Sequence, residues 1–353
     1  MKGGVKMSFE TIAVSTRMRL ARNFADYPFP NRLMHDAHAD EQAEEMIQRV
    51  EEELARIEEF TLYKMSAISE EKAAFLKERN LISRDLLSHR RISAALVSQD
   101  ESISVMLNEE DHVREQYFRK GFDLKNAYER LEGVDDAIAA YMPFAYDEEY
   151  GYLTACPTNV GTGLRASVML FLPAVSRRGV MRTIASKLTS RGLIVRGASG
   201  EGSDTEGDLF QISNEVTLGF SEAEILSSVE EAVKLVAEVE IRERARMKGE
   251  GGVALEDSIM RSLGTLTHCR RIDRREFMDR TADIKLGLAL GLFDDDGEED
   301  RTGLLFGALD DLAVAMRPAN LNRLKGSVMN EEEQDIFRAE RVREALLDMK
   351  LPF

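Results

Sequence analysis

The chain has 353 residues, 43% of them hydrophobic, and its 47 Lys and Arg residues against 64 Asp and Glu give a net charge of −17. This length predicts about two domains, and the acidic surplus would repel a nucleic-acid backbone, so any anion site must be a local basic cluster. Apolar runs such as Val168–Leu172 are too short to span a membrane, and no signal-peptide core follows Met1. Cys156 and Cys269 form no CxxC pair, as is typical of a reducing compartment. We therefore expect a cytoplasmic protein that binds neither nucleic acid nor membrane.

The first two thirds of the chain combine helical and strand patterns. Apolar residues recur at three- and four-residue steps from His38 to Phe60, which predicts a surface amphipathic helix. Alternation of Ile103, Val105 and Leu107 with other residues predicts a half-buried strand. Further strands are predicted at Gly151–Thr154, Ser167–Leu172, Leu193–Arg196 and Leu209–Ser213. Because turn-rich pieces rather than regular helices separate these strands, we expect an α+β fold.

A glycine cluster at Gly249–Gly252 predicts the domain boundary. Before it, Ser221 and Glu224 form a capping box that begins a long helix. Beyond it, strand alternation is lost, and the pattern predicts short helices that break at Gly287, Gly291, Gly303, Pro318 and Gly326. We therefore predict a domain at residues 1–250 and an all-helical domain at 253–353, with the acidic residues 294–300 in a solvated loop.

Clustered arginines are the first candidate functional feature. Arg17, Arg19 and Arg22 lie close together in an otherwise acidic chain. On a strand, Arg17 and Arg19 point to one face, where two planar guanidinium groups suit a phosphate. The alternative is a solvated strand edge with surface ion pairs.

An acidic cluster and two loops are the other candidates. The segment Asn108–His112 contains three adjacent carboxylates and is followed by Arg114. Because the carboxylates repel one another, they either serve to bind a cation or metal or to transfer a proton, or they simply face water. Residues 154–165 hold a cysteine between hydroxyls, then glycines and an arginine, and form either a lined pocket or an ordinary loop. The glycine-rich residues 197–203 lack the Lys-Ser/Thr ending of a P-loop.

Together these pieces resemble the guanidino (phosphagen) kinases. The motifs occur in the order of that family's signature series: Ser15–Arg19, Asn108–His112, Cys156–Arg165 and Arg196–Gly197. Other segments are similar to the bacterial protein-arginine kinase branch: Gly202–Ser203, Phe210–Asn214 and Leu255–Asp257. Only sixteen residues precede Arg17, whereas the metabolic kinases carry a helical domain there. The resemblance implies a catalytic domain with an antiparallel sheet flanked by helices, followed by a smaller helical domain.

The resemblance also implies a reaction and roles for single residues. The γ-phosphoryl group of Mg-ATP would pass to an arginine side chain of a protein, with Mg²⁺ bound to phosphates and not directly to protein. Glu110 would take the guanidinium proton, and Cys156 and Asn159 would lie beside the acceptor, with a Cys156 thiolate favoured by Thr158. The implied catalytic residues are Glu110, Cys156, Arg114, Arg165 and Arg196. The implied ATP site comprises Ser15, Thr16, Arg17, Met18, Arg19, Arg114, Arg165, Ala166, Ser167, Val168, Met169, Arg196, Gly197, Ala198, Ser199, Gly200 and Glu201.

Two positions depart from that family pattern. Asn80 stands where the family carries histidine, so adenine or ribose contacts are expected to differ. The family's phosphoarginine motif Arg-Asp-x-x-Arg-Ala here begins with Gln334 and retains Asp335 and Arg338. With one cation missing, we expect weaker phosphoarginine feedback.

The resemblance implies partners as well. They are arginine-bearing protein substrates marked for a Clp-type protease in protein quality control and the stress response, a Clp ATPase, an activating zinc-finger protein, a heat-shock repressor and a second copy in a homodimer. Two alternatives remain open. One is a kinase of free arginine or a related guanidino metabolite, and the other is a catalytically idle adaptor that binds arginine- or phosphoarginine-bearing proteins.

Overall fold

An antiparallel sheet organises the first two thirds of the chain. The computed structural model describes residues 9–30, 38–197, 206–293 and 301–350. Eight strands form one sheet in the order β2-β3-β4-β5-β1-β8-β10-β9, and a separate hairpin contains β6 and β7. The strands are β1 (Ala13–Arg22), β2 (Phe60–Lys64), β3 (Ala94–Ser98), β4 (Ile103–Leu107), β5 (Val113–Lys120), β6 (Tyr146–Asp147), β7 (Gly151–Tyr152), β8 (Leu164–Phe171), β9 (Leu193–Gly197) and β10 (Leu209–Asn214).

Helices flank this sheet and form the C-terminal region. They are α1 (Ala39–Leu54), α2 (Glu70–Glu78), α3 (Leu124–Ala139), α4 (Pro173–Arg177), α5 (Met181–Thr189), α6 (Glu222–His268), α7 (Arg274–Leu290), α8 (Arg301–Ala315), α9 (Pro318–Lys325) and α10 (Glu331–Met349). The predicted α+β class, with an antiparallel sheet followed by helices, is confirmed. The predicted amphipathic helix corresponds to α1, and the predicted capping box begins α6 at Ser221.

The two faces of the central strands differ in chemistry. Met18, Leu20 and Val168 point to one face and pack in a core with Leu131 of α3 and Val233 of α6. Since side chains alternate along a strand, the neighbouring residues point to the opposite face. That second face of β1, β5 and β8 carries the arginines.

The prediction that β4 is half-buried is wrong. Every residue of this strand is buried. Val105 and Leu107 belong to the same core as Val50 of α1, whereas Met106 points the other way, into a core that contains Leu76 of α2. Both faces of this part of the sheet are therefore covered by helices, which alternation within one strand cannot reveal.

Glycines end some of the C-terminal helices but not others. Gly291 and Gly326 adopt left-handed conformations at the ends of α7 and α9, as predicted. Gly252 breaks α6 with φ 47° and ψ −144°. The predicted breaks at Gly287 and Gly303 are wrong, because α7 and α8 continue through them.

Close helix packing explains the glycine inside α7. A Cβ atom at Gly287 would lie 2.6 Å from Phe293 Cε2 and 2.8 Å from Ile259 Cγ2. Gly287 is thus required because neighbouring side chains leave no room for a Cβ atom, and not because its backbone conformation demands glycine. The predicted acidic loop at 294–300 lies outside the described residues.

Gly287→Ala should lower the free energy of unfolding by about 1–3 kcal/mol, because the added methyl group overfills a packed helix contact. Gly264→Ala in α6 is the matched control. A Cβ atom there meets nothing within 4 Å, so alanine should be neutral or stabilise the helix by up to about 1 kcal/mol. Urea denaturation measures both, and equal effects would contradict the packing argument.

Candidate active site

Strand register brings arginines from distant parts of the sequence onto one face of the sheet. Arg17 and Arg19 of β1 point to the same side. Arg165 of β8 lies directly opposite Arg19. Arg114 of β5 lies opposite Ala21, which has the same orientation as the two β1 arginines. Four guanidinium groups therefore share this surface.

Arg196 joins this surface through two further strands. It lies opposite Gln211 of β10, which lies opposite Met169 of β8. Met169 in turn pairs with Ser15 of β1. All of these positions share one side of the sheet, so Arg17, Arg19, Arg114, Arg165 and Arg196 form one group, called here the arginine face.

Burial and mutual repulsion disfavour the charged form of several residues in the arginine face. Burial, with the Arg114 and Arg165 charges, lowers the pKa of Arg17 to about 9. Burial and the charges of the neighbouring arginines lower the pKa of Arg19. Burial and the charges of Arg196 and Arg114 lower the pKa of Arg165. The Nε atoms of Arg17 and Arg19 are buried without an acceptor. A buried N–H group without an acceptor is costly, and a bound anion would supply one.

Arg22 is not part of this face. Its side chain points to the opposite side of β1, where Nη2 lies 2.8 Å from the Asp135 carboxylate and both groups are buried. The guanidinium carbon also lies 3.6 Å from the centre of the Tyr152 ring. The sequence cluster of three arginines thus divides into two residues on the arginine face and one structural ion pair on the opposite face.

Two residues that the sequence did not single out hold the arginine face in place. Glu109, 1% exposed, accepts hydrogen bonds from Arg114 Nη1 at 2.6 and 2.7 Å. Burial lowers the pKa of Arg114, but Glu109 outweighs it and raises the pKa overall. Gln116 Oε1 accepts from Arg17 Nη2 at 2.6 Å. Period-2 spacing from Arg114 could have placed Gln116 on this face, but no pattern in the residues themselves pairs Glu109 with Arg114.

The acidic cluster forms a tight turn between β4 and β5 with Glu110 at its tip. Asn108 adopts a left-handed conformation with φ 58°, and its N–H donates to His112 O at 2.9 Å. Glu110 is exposed, unlike its two acidic neighbours. Partial burial and the Asp111 and Glu109 charges raise its pKa, against the opposing effect of Arg114.

Asp111 ties this turn to the cysteine segment. Its Oδ1 accepts from Asn23 Nδ2 and from the Ala155 backbone N–H, each at 2.6 Å. Ala155 directly precedes Cys156, whose Sγ lies 3.1 Å from Thr158 Oγ1. One buried carboxylate therefore holds the Glu110 turn and the Cys156 segment to each other.

Cys156 precedes a short helical turn, Pro157–Asn159, that Asn159 ends, and both residues are half-buried. The two thus lie on one segment beside the acidic turn. Their predicted contact with an acceptor guanidinium stays a prediction.

A cavity of about 760 Å³ adjoins the arginine face, and its lining includes Ser15, Arg17, Ser167 and Met169 from the predicted ATP site. Asn80 lines it too, and its carbonyl oxygen accepts from Gln116 Nε2 at 2.5 Å. The site therefore continues from the arginines towards the C-terminal helices.

Other predicted ATP-site residues are not brought to this face. Met18, Ala166 and Val168 have side chains buried in the core on the opposite side of the sheet. The Thr16 hydroxyl donates to Gly121 O at 2.8 Å. Gly197 ends β9, and Ala198, Ser199, Gly200 and Glu201 lie outside the described residues.

The predicted phosphoarginine segment lies on α10. Asp335 and Arg338 are buried, and Arg338 Nη1 donates to Asp335 Oδ1 at 2.7 Å. Arg338 also donates to Met316 O and Ile272 O. Gln334 Nε2 donates to Asn322 Oδ1 at 3.3 Å. Asp335 and Arg338 thus join helices, and phosphoarginine binding there stays a prediction.

Two wider features bear on ligand classes. Across the described ranges, no helix is both long and apolar enough to cross a membrane. In that same part of the chain, no group of three or more His, Cys, Asp or Glu side chains is arranged to hold a metal ion.

Comparisons with known proteins agree with this geometry. Residues 42–243 match the family model for ATP:guanido phosphotransferase, C-terminal catalytic domain, and residues 252–352 match that for Protein-arginine kinase McsB C-terminal domain. The chain is 37% identical to "Protein-arginine kinase" of Caldanaerobacter subterraneus subsp. tengcongensis, over 94% of this chain and 96% of the relative. It is 38% identical to "Protein-arginine kinase" of Symbiobacterium thermophilum, over 95% and 93%. A lombricine kinase crystal structure matches with TM-score 0.57 and 25% identity, over 68% of this chain and 69% of that chain.

Arg19→Met should raise the free energy of unfolding by about 1–3 kcal/mol in anion-free buffer, because it removes a cation that neighbouring arginines repel and whose Nε–H is buried without an acceptor. It should also reduce the thermal stabilisation that inorganic tripolyphosphate gives. Arg22→Met on the same strand is the control and should cost about 3–5 kcal/mol, because Asp135 loses its partner. A loss of stability in both variants would contradict the distinction between them.

Acid should destabilise the fold through His112. The ring is buried, Nδ1 accepts from Phe24 N–H at 3.1 Å, and Nε2–H donates to Pro28 O at 2.8 Å. Burial lowers the pKa to about 4. Because the unfolded chain binds this proton near pH 6.5, stability falls as the pH drops from about 6.5 towards 4.

Between pH 7 and 5 this histidine should cost about 2 kcal/mol. Urea denaturation of the wild type and of His112→Gln at the two pH values measures the difference, and the variant should lose less stability on acidification. The same pH dependence in both proteins would exclude His112 as the titrating group.

Proposed function

The chain belongs to the ATP:guanido phosphotransferase family, and we propose that it is a protein-arginine kinase that transfers the γ-phosphoryl group of ATP to arginine side chains of proteins. The relatives of that name align over nearly their whole length. The observation that carries the proposal is the arginine face beside Glu110. No simple binding module needs both a cationic surface for polyphosphate and a carboxylate with a raised pKa.

Phosphate binding is the task of the arginine face. Phosphoryl transfer proceeds through a loose transition state, so the protein contributes mainly positioned positive charge. Arg17 and Arg19 offer buried N–H groups without acceptors. Arg114, held by Glu109, would be fixed in orientation before the substrate arrives, which reduces reorganisation during the reaction.

Glu110 is the proposed base. A protonated guanidinium is a poor nucleophile until a carboxylate orients it and accepts its proton. The acceptor nitrogen forms a bond to the γ-phosphorus, the bond from that phosphorus to the β,γ-bridging oxygen breaks, ADP leaves, and the proton passes to a Glu110 oxygen. The raised pKa of Glu110 favours this role, because it makes the carboxylate a stronger base.

Cys156 is a proposed electrostatic partner of the acceptor. Its position beside the Glu110 turn, through the Asp111 bond to Ala155, supports contact with the same guanidinium. A thiolate there would stabilise the cation without a covalent intermediate, and Asn159 would contribute an amide to the same pocket.

Several finer features accompany this proposal. ATP would arrive as its Mg²⁺ complex, with the metal bound to phosphate oxygens and water. We propose the division into a catalytic domain at 1–250 and a helical domain at 253–353, a cytoplasmic location, and a homodimer. The proposed partners are arginine-bearing proteins, with a zinc-finger activator, a Clp ATPase and a heat-shock repressor as further proposals from the family resemblance.

Glu110→Gln should lower the rate of protein-arginine phosphorylation by about 10²–10⁴-fold, because the amide cannot accept the proton. ATP affinity should change little, since the arginine face is intact. The assay incubates the enzyme with Mg-ATP and an unfolded basic protein and detects acid-labile phosphoarginine by mass spectrometry. Glu148→Gln, at an exposed glutamate outside the acidic turn, is the control and should retain full activity.

The alternatives give distinct results in the same assay. Much faster phosphorylation of free arginine than of protein arginine would indicate a metabolite kinase. Binding of arginine-bearing protein without ATP binding, measured by calorimetry, would indicate an idle adaptor. Equal phosphoarginine yields from the wild type and Glu110→Gln would remove Glu110 from the mechanism.

A further inference from the structure

We infer that helix α8 of the C-terminal region forms one wall of the nucleotide site and contacts the nucleoside part of ATP. This inference rests on the proposed function. Its basis is the 760 Å³ cavity, which is lined on one side by the sheet and on the other by α8. Ligand sites of this kind commonly enclose about 300–1,000 Å³, so the space suits a nucleotide.

The position of Arg17 orients the nucleotide in this cavity. Of the five residues in the arginine face, only Arg17 lines the cavity. The phosphates therefore lie at the Arg17 end and beyond it, towards Arg19 and Arg165. The remaining space extends past Met169 towards Phe306 of α8, where apolar surface suits a planar base.

Glycines make α8 unusually open towards the cavity. Gly303 and Gly307 lie four residues apart, on one side of the helix, and both line the cavity. A Cβ atom at Gly307 would meet nothing within 4 Å, so the backbone itself bounds the open space. A glycine inside a helix costs about 1 kcal/mol relative to alanine, and room for a ligand offsets that cost.

Acidic side chains on the α8 side of the cavity have cationic partners. Three acidic residues that line it are each held in an ion pair: Asp310 with Lys285, Asp311 with Lys120, and Glu206 with Arg274. These pairs prevent a concentration of free negative charge that would repel phosphate. An uncharged base and ribose therefore fit this half better than a second polyphosphate.

Contacts between the two parts of the chain hold this wall in position. Lys120 of β5 and Asp311 of α8 lie 2.7 Å apart. Glu78 of α2 accepts from the Ala319 backbone N–H at 2.8 Å, and its carbonyl oxygen accepts from Arg317 Nη1. The C-terminal region is thus fixed against the catalytic part on both sides of the cavity, as a binding wall must be.

Gly307→Leu tests this wall directly. Calorimetry in the presence of Mg²⁺ compares ATP with inorganic tripolyphosphate, which lacks the nucleoside. The leucine side chain should fill space at α8 and weaken ATP binding at least tenfold, while tripolyphosphate binds as it does to the wild type. Gly133→Leu in α3, also a helical glycine with open space at its Cβ position, is the matched control and should bind both ligands normally.

Gly307→Ala is a second variant that tests the wall even if leucine disrupts the fold, because alanine favours the helix and adds a single methyl group. It should weaken ATP binding less than leucine does, again without an effect on tripolyphosphate. Wild-type affinity for ATP in both Gly307 variants would overturn the inference. So would an equal loss of ATP and tripolyphosphate binding. A wild-type chain that binds neither ligand would instead refute the proposed function.

Discussion

Repulsion among like charges on one face of the sheet is the constraint on which the rest of the structure depends. Five arginines share that face, and burial and mutual repulsion lower the pKa values of Arg17, Arg19 and Arg165. The strands that carry them must be held by other interactions. The apolar core between the opposite face and helices α3 and α6 provides this support, as does the buried Arg22–Asp135 pair on that same opposite face. The fold thus holds together a surface on which like charges repel one another.

The acidic turn shows how three adjacent carboxylates can have different roles. Glu109 turns inward to Arg114, and Asp111 accepts hydrogen bonds from Asn23 and Ala155. Only Glu110 is left exposed at the tip. The separation of roles depends on the turn geometry, which directs consecutive side chains to different surroundings. One short loop therefore positions Glu110, Arg114 and the Cys156 segment relative to one another.

Local patterns predicted part of this arrangement. Alternation on one strand correctly put Arg17 and Arg19 together, because it depends only on backbone geometry. It could not add Arg165 or Arg196, since the order β5-β1-β8-β10-β9 joins strands far apart in sequence. The same limit explains the error at β4, where helices on both faces bury a strand whose pattern indicated one buried face. Gly287 was misjudged because its cause is a neighbouring helix and not its own backbone.

In the proposed reaction, the acceptor is itself a cation and must approach a surface rich in arginines. Without nucleotide, the positive charge of the arginine face outweighs that of Glu109 and Glu110 and disfavours a guanidinium nearby. The phosphates of ATP reverse this balance, so that Glu110 and the bound phosphates then attract the acceptor together. Nucleotide binding therefore prepares the site electrostatically for the second substrate. If α8 bounds the nucleoside, the C-terminal helices also influence that preparation, because the affinity for ATP sets how often the site carries the charge that an arginine side chain needs.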